Sequence, residues 1–172
     1  MENLKVKKHK ERPDLTGEHP FGDLGQLIFL FVFIAVWLAD IFVFKIDESE
    51  FFEVSMWIRI PLGVIILICS LFLKTKSTKM VFGMRAEKPE VIVSNIYKKV
   101  RHPMYLSLLL FYLSIIIFIY SLPLFLVYIP IVLFYNYIAK YEEKLLVKRF
   151  GDDYRQYMKK VKRWIPQFKT KY

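Results

Sequence analysis

Cysteine, histidine and glycine are scarce in this chain: one, three and six among 172 residues. Each scarcity excludes something. Cys69 alone closes no disulfide, and with three scattered histidines it builds no zinc site, so no metal is expected. The glycines, at 17, 22, 25, 63, 83 and 151, nowhere form G-x-G-x-x-G, and no βαβ pattern surrounds them. A P-loop and a nucleophile elbow are also missing, so any catalysis must use another scaffold than the common soluble ones. Residues 1–20 are polar and basic with no apolar core, and are not read as a cleavable signal peptide. Acidic residues are few as well, 16 against 26 Lys and Arg, which leaves a net charge of +10.

What is abundant is apolar. Hydrophobic residues make up 55% and aromatics 17%, above the roughly 45–50% apolar usage of soluble domains. They come in blocks, which read as membrane spans. The first block runs Leu24 to Phe44 and the second Met56 to Leu73. A third begins near Tyr105 and a fourth ends near Tyr137, with Tyr120-Ser121-Leu122-Pro123 as the break between them. Pro123 has no N–H and disfavours helix at Leu122, so a tight helical hairpin is expected, with one long kinked helix as the other reading.

The expected fold is therefore all-α: a polytopic membrane protein with about four transmembrane helices, the last two a hairpin, plus cytosolic amphipathic C-terminal helices. The first of these covers Glu142 to Phe150, with Leu145, Leu146 and Phe150 on one side and Gly151 as its cap. The second starts at Asp152-Asp153, carries Tyr154, Tyr157, Met158 and Val161 at helical spacing, and ends at Trp164-Ile165-Pro166. Trp164 suits headgroup level. Three regions result: a basic arm (1–23), two transmembrane helices (24–73), and a core with the remaining helices (74–172).

Charge sets the expected orientation. The arm carries Lys5, Lys7, Lys8, Lys10 and Arg12, the segment after the second block carries eight Lys and Arg from Lys74 to Arg101, and the tail is again basic, while Asp47, Glu48, Glu50 and Glu53 make the first loop acidic. The Lys/Arg bias places both termini and the long loop in the cytoplasm. The positive charge thus faces membrane lipids rather than nucleic acid, and no obligate protein partner is evident. Asp40 and Arg59 fall inside apolar blocks near the outer interface, where pairing or snorkelling is the expectation.

Two constellations carry chemistry. Val100-Arg101-His102-Pro103-Met104-Tyr105 packs a cation, a titratable ring, a helix-initiating proline and an aromatic into the mouth of the third span. N–H groups beyond Pro103 suit a carboxylate, although a basic residue and a Tyr there are also ordinary interface anchors. Glu142-Glu143 lies just past the fourth span, where it reads either as a solvated helix face or, if the hairpin forms, as an acid beside His102. A zwitterionic amino acid needs that pairing, N–H groups for its carboxylate and an acid for its ammonium.

The run VSNIYKKVRHPMY (93–105), then Glu142-Glu143-Lys-Leu-Leu, then Phe150-Gly151-Asp-Asp-Tyr154-Arg-Gln-Tyr157, then Val161 and Pro166, resembles the isoprenylcysteine carboxyl methyltransferase family and its phospholipid methyltransferase relatives, from roughly Lys88 to Phe168. The resemblance implies a membrane methyltransferase using S-adenosyl-L-methionine on a lipid-like or prenylated acceptor. It implies that Tyr97 and Arg101 to Tyr105 (Arg101, His102, Pro103, Met104, Tyr105) line the cofactor pocket. By the same resemblance Pro89, Glu90, Val91 and Ile92 close over adenosine, Glu142 holds the amino end with Glu143 beside it, and Phe150, Tyr154 and Tyr157 pack lid helices above. His102, Glu142 and Glu143 are the catalytic candidates. Asn95-Ile96 stands where the family usually has Gly-Pro, Ser107 where a glycine often follows, and Ile138 where the prenylcysteine enzymes place a substrate-contacting arginine, with Lys140 the nearest cation. A carboxylate acceptor needs no base, whereas an amine must first lose a proton. An NADPH-dependent sterol-reductase-like enzyme and a non-catalytic scaffold are the rival readings.

Overall fold

The computed structural model describes residues 22–44, 54–83 and 95–166. The basic arm, the acidic loop and Pro89–Ile92 lie outside the described residues. Helix α1 spans Gly22–Ala39 and widens into a π-helical turn at Asp40–Phe44. Helix α2 spans Met56–Gly83, a 3₁₀ turn covers Asn95–Lys98, α3 spans Pro103–Ile119, α4 Leu122–Phe150 and α5 Asp152–Lys160. There is no strand among the described residues.

Local chemistry sets the boundaries. Pro103 sits in the first turn of α3, where its missing N–H costs nothing. At the other end Tyr120 adopts a left-handed conformation (φ 60°), and its N–H donates to the Ile116 carbonyl at 2.7 Å. Ser121 then caps α4, its hydroxyl accepting from the Leu124 N–H at 3.3 Å, with Pro123 in the first turn. Two residues thus turn the chain through the expected hairpin. One expectation is corrected here. Glu142–Phe150 is no separate cytosolic helix but the continuation of α4, which runs 29 residues without interruption. Nothing between Tyr137 and Glu142 breaks it, because Ile138, Ala139 and Lys140 all tolerate helix and Pro130 lies further back. Likewise α2 extends ten residues beyond Leu73, since Lys74 to Lys79 contain no breaker.

Three segments are long and apolar enough to cross a membrane: Gly22–Val43, Met56–Met80 and Leu122–Phe150. Apolar α3 is shorter, at 17 residues, or about 25 Å at 1.5 Å per residue. It lies between α2 and α4. Ser70 Oγ donates to the Ser107 carbonyl at 2.7 Å and stitches α2 to α3. Gly63 faces the Phe118 ring so closely that a Cβ would stand 2.6 Å from it. The central core joins Phe33 of α1, Leu109, Tyr112 and Ile116 of α3, and Leu124, Ile131, Tyr135 and Ile138 of α4. A second cluster seats the 3₁₀ turn on α2 through Leu73, Ile96 and Val100, and a third holds α5 by Tyr154, Tyr157 and Val161. Most of α1 and the first half of α2 expose large apolar side chains, as a lipid-facing surface does. The start of α3, the end of α4 and α5 therefore meet at one end of the bundle.

Candidate functional site

The site forms where the first turn of α3 lies against the last three turns of α4. His102 precedes α3 and is 8% exposed; Glu143, on α4, is 3% exposed. The hairpin brings these residues together across 41 positions of sequence. His102 Nε2 lies 3.1 Å from Glu143 Oε1, and His102 Nδ1 lies 3.6 Å from Glu142 Oε2. Tyr105 donates its hydroxyl to Glu142 Oε1. The Tyr105 ring stacks on His102 with centroids 5.8 Å apart and planes 9° from parallel. One imidazole is therefore held between two carboxylates.

The carboxylates differ in their surroundings. Glu143 accepts from Arg163 in the two-pronged geometry, Nε to Oε1 at 2.9 Å and Nη2 to Oε2 at 2.5 Å, and Arg101 Nη1 stands 3.3 Å from Oε1. A buried carboxylate between two guanidinium groups is ionised and accepts only. His102 must then present an N–H to it, which assigns the ring proton to Nε2 and leaves Nδ1 as an acceptor beside Glu142. Burial lowers the His102 pKa below its ordinary value, and Arg101 and Arg163 lower it further, against the opposing pull of Glu143. Burial thus favours the neutral ring. Tyr97 stands on the same side. Burial pushes its phenol up, and the Glu142 charge adds to that.

Of the residues singled out from the sequence, Arg101, His102, Tyr105, Glu142 and Glu143 converge. Tyr97 joins them through its backbone, whose carbonyl accepts from the Tyr157 hydroxyl at 2.7 Å, so α5 clasps the 3₁₀ turn. Pro103 is fully buried and shapes the helix start. Met104 is 36% exposed and faces away from the core clusters. Tyr154 is buried as expected, and Phe150 packs against its cluster. Pro89, Glu90, Val91 and Ile92 are outside the described residues.

Sequence reasoning missed three participants. Besides gripping Glu143, Arg163 donates from Nη1 to Asn136 Oδ1 at 2.9 Å; Trp164 Nε1 donates to the same oxygen at 3.3 Å. The Trp164 ring lies 6.0 Å from His102. Trp164 is thus part of the site wall. The Arg101 N–H donates to the Lys162 carbonyl at 3.0 Å and ties this C-terminal strap to the R-H-P turn. The available signal was Asn136, an amide inside the apolar run of α4, which demands a polar partner in a membrane setting. Ile138, the position of an arginine in the prenylcysteine enzymes, is fully buried. The guanidinium groups of this site come instead from Arg101 and Arg163.

Arg101 Nη1 makes no hydrogen bond but is ion-paired with Glu143 at 3.3 Å. Arg101 Nε is buried with no partner, an arrangement that costs free energy until an anion takes it. No metal-binding group of three or more His, Cys, Asp or Glu occurs among the described residues.

A family model described as phospholipid methyltransferase matches residues 58–153, more than half of the chain, from early α2 to the start of α5. No curated protein and no solved structure matches.

Proposed function

Because the chain belongs to the phospholipid methyltransferase family, we propose that this membrane methyltransferase moves a methyl group from S-adenosyl-L-methionine to the amine of a phospholipid-like acceptor. The cofactor would supply an activated methyl on a sulfonium. The residues present fit it: the unpartnered Arg101 Nε suits its carboxylate, while Glu142 and the Tyr97 and Tyr105 phenols suit its ammonium. Aromatic faces suit a sulfonium as they suit other cations.

The observation that favours an amine is the state of His102. Glu143 holds its Nε2 and leaves Nδ1 with a lone pair, in a ring that burial keeps neutral. A carboxylate acceptor has no use for that lone pair; an ammonium must give up a proton before its nitrogen can attack. In the proposed reaction His102 Nδ1 would take this proton and so free the nitrogen lone pair for the activated methyl that the cofactor would supply. Arg163 positions Glu143, and Glu143 positions the ring. Tyr105 and Trp164 wall the reaction off from water, which makes each charge contact stronger. The acceptor would arrive sideways from the bilayer, and the Lys/Arg bias supports a cytoplasmic site, where the cofactor is made.

Proteoliposomes containing phosphatidylethanolamine, given methyl-labelled S-adenosylmethionine, provide the test. Label is expected in the lipid fraction, with His102→Gln lowering the rate at least 100-fold and Glu142→Gln weakening cofactor binding about tenfold. Label that enters only a prenylcysteine methyl ester would replace the amine reading by the carboxylate one.

A further inference from the structure

Among the described residues, four buried side-chain nitrogen and oxygen atoms lack a hydrogen-bond partner. Two belong to Arg101, in the site above. The other two are Asp40 Oδ1 and Arg59 Nε, at the opposite end of the bundle. They are charged groups of opposite sign, on α1 and α2, and both dock on the same two-residue turn. Asp40 Oδ2 accepts from the Ser121 hydroxyl at 2.5 Å. The Arg59 guanidinium carbon lies 4.8 Å from the centre of the Tyr120 ring. The expected Asp40–Arg59 pair is not made through the orphaned atoms; each residue leans on the turn instead.

Three features show a built arrangement. The helix widens to π geometry at Asp40, a local rearrangement that is frequent at functional sites. Tyr120 is one of two non-glycine residues with positive φ among the described residues, a strain that persists only where surroundings over-determine it. It places the ring under Arg59. Around the pair, Trp57 is 90% exposed, Phe42 70% and Met56 63%. An exposed Trp among apolar side chains at a helix start marks headgroup level.

We infer that Asp40 and Arg59 form a second lipid site, which receives one zwitterionic phospholipid headgroup in the leaflet opposite the methyltransfer site. Asp40 Oδ1 takes the ammonium and Arg59 Nε–H the phosphate. The two charged groups dock on consecutive residues, Ser121 and Tyr120, and their opposite signs suit a ligand that carries both charges. A purely anionic headgroup would satisfy Arg59 and leave Asp40 facing a like charge. The inference does not depend on the acceptor or the cofactor of the other site.

Native mass spectrometry of the full chain in detergent, titrated with phosphatidylethanolamine or phosphatidylglycerol, tests it. The wild type is expected to hold one phosphatidylethanolamine more than Asp40→Asn does, and to hold that additional lipid about tenfold more tightly than phosphatidylglycerol. Asp40→Asn keeps an oxygen for the Ser121 hydroxyl and should lose that preference, with phosphatidylglycerol bound no less tightly than by the wild type because the like charge is gone. Arg59→Gln should weaken both lipids about tenfold. If Arg59→Gln does not fold, Arg59→Lys, which has no Nε–H, is read in its place. Lipid held at the methyltransfer end is common to all variants and cancels in the comparison. Soluble glycerophosphoethanolamine at millimolar concentration should not displace the lipid; displacement would assign the site to a free zwitterion. Equal affinities of the wild type for the two lipids, or an Asp40→Asn protein with the wild-type preference, would overturn the inference.

Discussion

At the residue scale, two neighbouring glutamates do different work because α4 turns them toward different partners. Glu143 is enclosed by Arg163, Arg101 and His102, whereas Glu142 faces the Tyr105 hydroxyl and the open nitrogen of His102. Arg163→Gln should destabilise the protein by about 2 kcal/mol. That lies below the 3–5 kcal/mol of a fully buried pair, because the Arg163 side chain keeps 20% of its exposure. Arg163→Lys should recover little, since an ammonium cannot reproduce the fork; melting in detergent checks both. His102 supplies a pH test. Its folded pKa lies below the ordinary 6.5, so the unfolded chain binds this proton first as pH falls. The stability from a neutral His102 is therefore complete above about pH 6.5 and is lost as pH drops from there toward the lowered folded value. The slope is at most about 1.4 kcal/mol per pH unit. Melting curves between pH 5 and 8 should show this acid-side loss, and His102→Gln should flatten it.

At the scale of elements, α4 is the organising piece. Its first turn is capped by Ser121, its middle builds the core and holds Asn136, and its later turns carry Glu142 and Glu143 beyond the apolar run. At 29 residues it measures about 43 Å, longer than the roughly 30 Å hydrocarbon layer, so the glutamates emerge at the surface on a rigid rod. Gly151 ends the rod at φ 58°, with its N–H on the Val147 carbonyl at 2.9 Å, and α5 starts at the next residue. Gly151→Ala meets no neighbouring atom but forces a side chain into left-handed backbone. A loss of about 1 kcal/mol is expected, with α5 detaching first because the Tyr157–Tyr97 clasp depends on its angle. Hydrogen exchange should show faster exchange at 154–160 than in α3. Ser70 and Ser107 illustrate a departure with a purpose. Ser107 stands where relatives often have glycine, and its carbonyl accepts from Ser70 Oγ, so close α2–α3 contact is kept with a hydroxyl in place of a bare backbone.

At the scale of the whole molecule, this is an integral membrane methyltransferase of the phospholipid methyltransferase family. Its two polar ends are separated by an apolar middle. The proposed methyltransfer site is at one end, and the Asp40–Arg59–Ser121 cluster is at the other. The proposed orientation places the site end in the cytoplasm. In a Cys69→Ser background, a single cysteine at Asp153 should react with an impermeant maleimide only after the cytoplasmic face is opened. A cysteine at Ser55 should react from the opposite face. Reversed accessibility would invert the topology and put the site where the cofactor is not made.

Spans, hairpin and the last helix were legible in the sequence because each rests on local physics. Apolar block length, Pro123, Ser121 and Gly151 act within a few residues of where they stand. The R-H-P turn and the glutamate pair were legible as candidates for the same reason. The merging of Glu142–Phe150 into α4 was hidden, because a change of solvent along a helix mimics a change of element. Arg163, Asn136 and Trp164 were hidden because their meaning is relational. Arg163 looks like any basic tail residue until the strap returns over the hairpin and sets its guanidinium on Glu143. By itself the sequence determined that the chain crosses a membrane and which motifs it carries, since burial in lipid follows from composition alone. Only the tertiary structure decided which glutamate is enclosed and which faces the open nitrogen of His102, since hydrogen bonds across 20 to 41 residues depend on how the helices pack.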